Sequence, residues 1–315
     1  MTSPGLGMLF GFINTTTLHL AKGMQRQGIE TLRWRSTPRH DRSKGKAAIY
    51  VIGVILNNMA AVWIILANRF AAPAYATGMF GLGLVVLLLY SHFLLDEPVR
   101  PINYVGAALV IVGTAVFALH ALRNRSVQTA RFDPIVVGIF AASFVLAAFI
   151  VVVFAMRSGR PFRIALAFGI FAGGLGSLDP VLKSLGQTAG LTAGIIPTAA
   201  WGWIPFGISF LFGTTAFFSV QYAFYHGADA SAMVPVQTSV YVLTPVVVQI
   251  IALPGYQLTL SLTAGIAIIL LGIVLTQMGR RAIPPVAASV EEDDGSEQDS
   301  PTEPGDHSGS SERTS

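Results

Sequence analysis

The chain predicts an all-α, polytopic membrane protein, and three features of its 315 residues carry that prediction. Hydrophobic residues make up 53% and charged residues only 11%, against about 25% charged in soluble domains. Nine of the sixteen acidic residues lie beyond Ser289, so the chain before that point is poorer still in charge. Nine apolar stretches approach the ~20 residues that a helix needs to cross ~30 Å of hydrocarbon. Lipid, rather than water, must be the main solvent of such a chain.

In order, the nine stretches fall near 5–21, 47–68, 73–94, 102–122, 135–156, 163–187, 203–226, 231–252 and 259–278. Residues 1–21 lack a basic leader and a small-x-small cleavage site, which predicts a helix and not a signal peptide. The sixth stretch is interrupted by Gly173, Gly174, Gly176 and Pro180 and carries Asp179 and Lys183, a pattern open to two half-helices. There is no cysteine, which excludes disulfides, thiolate metal sites and cysteine nucleophiles.

Basic residues set the expected orientation. With the N-terminus outside, cytoplasmic segments hold fourteen Lys and Arg: eight from Lys22 to Lys46, then Arg100, Arg157, Arg160, Arg163, Arg280 and Arg281. The outer segments hold four: Arg69, Arg123, Arg125 and Arg131. The expectation is a multi-pass plasma-membrane protein, N-terminus out and C-terminus in. From Pro284 to Ser315 there are nine acids and one Arg without aromatics, which predicts a solvated, disordered cytoplasmic tail. Two domains follow: a transmembrane domain over 1–283 and a tail over 284–315. The net charge of +4 averages a basic body with this acidic tail and gives no pointer to nucleic acid.

The body contains an echo. Residues 48–121 and 204–278 share one layout: a long helix, a tight turn of small residues, a second helix, a short break and a third helix. The turns are Ala71-Ala72-Pro73-Ala74 and Gly227-Ala228-Asp229-Ala230, and a helix bearing one Lys, Lys22 or Lys183, precedes each copy. Matching helices stand five apart in order, an odd number, so the copies face opposite ways across the bilayer. The halves are approximately 5–122 and 163–278, with 135–156 as the linking helix, and such inverted repeats are frequent in secondary transporters.

Four segments carry a resemblance. They are Lys22-Gly23 closing the first helix; Phe93-Leu94-Leu95-Asp96-Glu97 leading into the Gly-rich helix at 102–122; Asp179-Pro180-Val181-Leu182-Lys183-Ser184-Leu185-Gly186; and Gln221 followed by Ala232-Met233-Val234-Pro235. Over residues 5–280 the chain resembles the drug/metabolite transporter (EamA-like) superfamily, nearest its NIPA-type magnesium transporter branch. The resemblance implies nine or ten helices, an inverted duplication and transport without ATP hydrolysis. The Asp-Pro in the sixth helix, the longer basic first loop and the acidic tail depart from the magnesium branch.

Charged groups within the membrane are the first candidates for chemistry, because each costs about 2.5–3.5 kcal/mol at a helix centre. Asp179 and Lys183 qualify, and their i, i+4 spacing with Asp first favours an ion pair. Either they form a structural salt bridge, or Asp179 is a proton or metal-cation site loosened by Pro180. Lys183, about 12 Å from the helix midpoint at 1.5 Å per residue, is within reach of the outer interface. Polar residues at helix centres complete the expected pathway: Asn57 and Asn58; Thr214, Thr215 and Gln221; and Gln237, Thr238 and Tyr241 after Pro235, joined by Asn14 to Thr17. Asp96 and Glu97 read as dipole compensation before the fourth helix, and His19, His92, His120 and His226 as interfacial.

The expected function is a secondary transporter moving a small solute by alternating access, with a divalent cation such as magnesium as cargo or a metabolite coupled to protons. It is expected to need no cofactor and to catalyse no reaction; a homodimer is compatible with the sequence. Mg²⁺ wants six oxygens in tight octahedral geometry, for which one carboxylate is thin provision. A remote alternative is a retinal protein, since Asp-x-x-x-Lys is also the layout of the Schiff-base helix in microbial rhodopsins. That helix is the last in those proteins, whereas three follow it here. No HExxH, GxSxG or pair of Asp-rich motifs points to an enzyme.

Overall fold

The computed structural model describes residues 3–28, 44–94, 100–123, 131–190, 194–226, 228, 230–253, 256 and 258–278. Its ten helices are α1 (Pro4–Gly28), α2 (Lys44–Phe70), α3 (Pro73–Gly78), α4 (Phe80–Leu94), α5 (Pro101–Arg123), α6 (Pro134–Ser158), α7 (Pro161–Gln187), α8 (Trp203–Tyr225), α9 (Ala230–Ala252) and α10 (Leu260–Gln277). A single 3₁₀ turn, Ala200–Gly202, precedes α8, and no strand occurs among the described residues. Asp96, Glu97, Gly227, Asp229, most of the basic first loop and the acidic tail lie outside the described residues.

Local chemistry explains where these helices begin. Five of them, α1, α3, α5, α6 and α7, start on Pro, whose missing N–H would have no intrahelical partner at that position. The Asp133 carboxylate accepts from the N–H of Ile135 at 2.9 Å and of Val136 at 3.2 Å, capping α6. Gly159 ends that helix at φ 61°, a left-handed conformation that glycine adopts without a Cβ penalty. Thr259 caps α10 by accepting from the Leu262 N–H at 3.3 Å.

Seven spans among the described residues are long and apolar enough to cross a membrane: 45–70, 73–94, 101–123, 134–158, 161–187, 200–223 and 232–252. The apolar part of α10, Leu260–Thr276, is shorter, and α1 is long but polar, with Asn14, Thr15, His19 and Lys22 along it. Apolar side chains turn outward on the flanks, with Ile135 70% and Leu211 66% exposed, an arrangement suited to hydrocarbon rather than water. α7, by contrast, is mostly buried, and its Leu178 and Val181 join Val110, Phe117, Val242 and Ile269 in one apolar core.

Two details differ from the sequence reading. The glycines and Pro180 leave α7 continuous, because neighbouring helices pack closely on the glycine face and hold it. The interruption falls instead in the third span, where the Met79 N–H bonds to Ala76 C=O and the Leu82 N–H to Met79 C=O, both i to i+3, separating α3 from α4. α1 also continues past residue 21 to Gly28, which places Lys22 inside a helix and not at its end.

Small residues show how the helices run. A Cβ on Gly7 would lie 2.3 Å from the Ala71 Cβ, and one on Gly53 2.9 Å from the Ala21 carbonyl, so α1 and α2 are antiparallel. α7 and α8 are antiparallel too, with Gly186 against Gly202 and Gly176 near Ala216. α1 runs parallel to the α3–α4 span (Gly11 on Ala76, Gly23 on Tyr90), as α7 does to α9 (Gly169 on Met233, Gly173 on Gln237). α5 and α10 meet antiparallel, with Gly106 facing Gly272 and Gly113 facing Gly265. Such close backbone approach is how helices associate where lipid removes the usual hydrophobic drive.

Candidate functional site

Asp179 and Lys183 sit one turn apart on α7 and form an ion pair through Asp179 Oδ1 and Lys183 Nζ. The lysine side chain is 1% exposed and the carboxylate 16%. The ammonium therefore does not reach the outer interface: it is held inward by the carboxylate and lies 4.2 Å from the centre of the Phe210 ring on α8. Helical side chains lean toward the N-terminus, which directs Lys183 back onto Asp179. Pairing of this kind is what makes a deeply placed charge tolerable.

Residues from α8 and α9 close around the pair. The Ser209 hydroxyl, which donates to Phe206 C=O at 2.6 Å, lies beside the Asp179 carboxylate. Gly213 of α8 faces the carboxylate, and a Cβ there would meet its Cγ in ordinary contact at 3.5 Å. Tyr241 of α9 lies within electrostatic reach of Asp179 and stacks on Phe80 of α4 with ring centres 4.0 Å apart. Pro180 and Pro245 have no N–H, so the carbonyls four residues earlier, on Gly176 and Tyr241, lose their usual helical donor. Those two residues touch: a Cβ on Gly176 would be 3.3 Å from the Tyr241 ring.

The first half contributes from the other side of Phe80. The Thr15 hydroxyl donates to Phe80 C=O at 3.0 Å, and the His19 ring stands edge-on to Phe80 at 4.7 Å. The Lys22 ammonium is 5.9 Å from the centre of the same ring. Lys22 itself is exposed, with its ammonium turned toward the buried Phe80 ring. Asn68 of α2 donates to Pro180 C=O at 2.7 Å, and Gln187 of α7 donates to Ile65 C=O at 3.0 Å, tying α2 to α7.

The expected pathway residues separate into two groups. Asp179, Lys183, Gln237, Thr238 and Tyr241 gather on α7 and α9. Pro235 is half-buried a turn before them. Thr214 and Gln221 lie on exposed positions of α8, and Asn58 is exposed on α2 with its amide donating to Val54 C=O of its own helix at 2.8 Å. Asn57 is half-buried on α2. Three of these four, Thr214, Gln221 and Asn58, thus occupy exposed positions. Along α9, the fourfold spacing of Gln237, Tyr241 and Gln249 puts three polar side chains on one face, and Gln249 is fully buried with neither amide atom hydrogen-bonded.

Lys22, Phe80, Ser209 and Asn68 belong to the site and were absent from the sequence-based set. Of these only Lys22 is marked in the sequence, as the lysine that closes the first apolar stretch. His19 and His120 are buried against neighbouring helices, 1% and 5% exposed. Among the described residues no group of three or more His, Asp or Glu could hold a metal ion. Comparison with known proteins finds no matching family, characterised protein or solved structure.

Proposed function

We propose that the chain is a secondary transporter of a small solute, with its site where α7 and α9 of one half meet α1 and α4 of the other. The observation that carries this reading is the Asp179–Lys183 pair, buried among membrane-type helices and joined through Tyr241 and Phe80 to the first half. Intramembrane charges are expensive and mark ion or substrate pathways more often than they stabilise a fold.

The packing supports an inverted repeat and alternating access between its halves. α1, α2, α3–α4 and α5 pair off in the same manner as α7, α8, α9 and α10, with α6 left over. The counterparts α5 and α10 run antiparallel, as an inverted duplication requires. Counting α1, α10 and the joined α3–α4 span gives nine crossings, with the N-terminus out and the C-terminus in the cytoplasm by the distribution of basic residues. This reading agrees with the resemblance to the drug/metabolite transporters. Magnesium is the less favoured cargo, because it wants six oxygens and among the described residues the site offers one carboxylate, shared with Lys183; a proton needs only that one carboxylate.

Uptake into proteoliposomes against pH tests the reading, using labelled cations, anions and neutral solutes with Mg²⁺ among them. The wild type should accumulate at least one of these down an imposed proton gradient. The double variant Asp179→Asn/Lys183→Met should fold yet lose accumulation. Full, pH-responsive uptake by the double variant would reject the coupling role, and no gradient-driven uptake of any solute by the wild type would reject transport.

A further inference from the structure

Resting on the transporter reading, we infer that Lys22 is the substrate-binding group and that the substrate is a small organic anion. Lys22 is an accessible cation with no carboxylate in reach among the described residues, and the Asp179 carboxylate across the Phe80–Tyr241 stack is paired with Lys183. Among the described residues the site therefore carries one uncompensated positive charge.

Position and direction both argue against an interfacial lysine. α1 continues beyond Lys22 to Gly28, and its side chains lean toward its N-terminus. The Nζ accordingly reaches Phe80, at the start of α4, and does not run along α1 toward its basic C-terminal end. A lysine that snorkelled would do the opposite. Its ammonium lies no more than 9.9 Å from the centre of the Tyr241 ring, the sum of the two distances to Phe80, which is within the length of one small solute.

Further donors lie along α9, whose Tyr241 stacks on Phe80. The Tyr241 hydroxyl and the Gln237 amide, one turn apart on α9, are half-buried, and no hydrogen bond engages them among the described residues. An ammonium, a phenol and an amide supply the charge-assisted and neutral donors that a carboxylate or a phosphate monoester accepts. The Phe80–Tyr241 stack provides an apolar wall for the solute's body.

The test measures thermal stabilisation of the purified full-length chain in an uncharged detergent. The probes are benzoate, lactate and glycerol-3-phosphate, beside benzamide, lactamide, glycerol and Mg²⁺. At least one anion should raise the unfolding temperature in a saturable way, while its neutral counterpart and Mg²⁺ do not. Lys22→Met should raise the half-saturating concentration at least about tenfold, the loss of one charge-assisted hydrogen bond, and Lys22→Arg should restore much of it. Stabilisation by neutral probes or Mg²⁺ alone, no response to any anion, or an anion response unchanged in Lys22→Met overturns the inference. Phosphatidylglycerol serves as a separate arm: a Lys22-dependent response to that lipid with none to the soluble anions assigns the lysine to a headgroup and also overturns it. Anion binding without uptake would sink the transporter reading and leave the site standing; uptake of a cation alone would do the reverse.

Discussion

The contact between α1 and the α3–α4 span and the contact between α7 and α9 use the same backbone device and differ in charge. In both, parallel helices are brought together at small residues, Gly11 on Ala76 in one and Gly173 on Gln237 in the other. In both, the first helix carries one lysine near an aromatic ring, Lys22 near Phe80 and Lys183 near Phe210. Among the described residues only the second lysine has a carboxylate. The comparison teaches that like packing can carry unlike charge: α7 holds an ion pair, whereas α1 holds a lone cation.

The largest expected effect comes from breaking the ion pair. Lys183→Met leaves the Asp179 carboxylate without its partner, and Asp179→Asn leaves a buried ammonium; each should lower stability by about 3–5 kcal/mol. The double variant removes both desolvation costs and should lie within about 1–2 kcal/mol of wild type. Denaturant unfolding in detergent, followed by tryptophan fluorescence, reads all three. If the single changes cost no more than the double, the pair is not coupled and the contrast between the halves disappears.

A smaller effect should be common to both halves, because it comes from the shared device. Gly11→Ala would place a Cβ 2.7 Å from the Ala76 carbonyl oxygen, and Gly173→Ala one 2.5 Å from the Gln237 carbonyl oxygen. Neither contact is with a flexible side chain, so the helices must part, at about 1–3 kcal/mol each. Gly138→Ala on α6, where nothing lies within 4 Å, is the control and should be neutral or slightly stabilising through helix propensity. A loss in one half only would show that the two contacts are not equivalent.

The helices were legible in the sequence because a bilayer demands long apolar runs, and the Asp179–Lys183 pair because i, i+4 spacing fixes neighbours within one helix. What joined the halves was not legible. Phe80 and Ser209 look like ordinary residues of apolar helices, and only the register of α4 on α1 and of α8 on α7 brings them to the charged groups. Asn58, Thr214 and Gln221 were chosen for depth alone; depth does not tell which face of a helix looks inward, and these three look outward. Lys22 reads from the sequence as one of the cytoplasmic basic residues, because the apolar run stops at residue 21 although α1 continues to Gly28. The glycines of α7 suggested a broken helix but serve close packing, which a single helix's composition cannot distinguish.

The smallest effect sharpens the comparison most. Lys22→Met removes a cation that has no carboxylate partner among the described residues. The change loses at most a cation–π contact with Phe80, worth about 0.5–1 kcal/mol at an accessible site, so stability should stay within about 1 kcal/mol of wild type. Lys183→Met, the same chemical change in the matching helix, should cost at least about 2 kcal/mol more. Unfolding of both variants in the same detergent gives the difference directly, free of errors in the wild-type reference. Equal losses would mean that Lys22 is held by an anionic group of the chain and is unavailable to a ligand; a clear gap would show that a methionine at 22 leaves the fold intact, so that any accompanying loss of anion binding belongs to the charge.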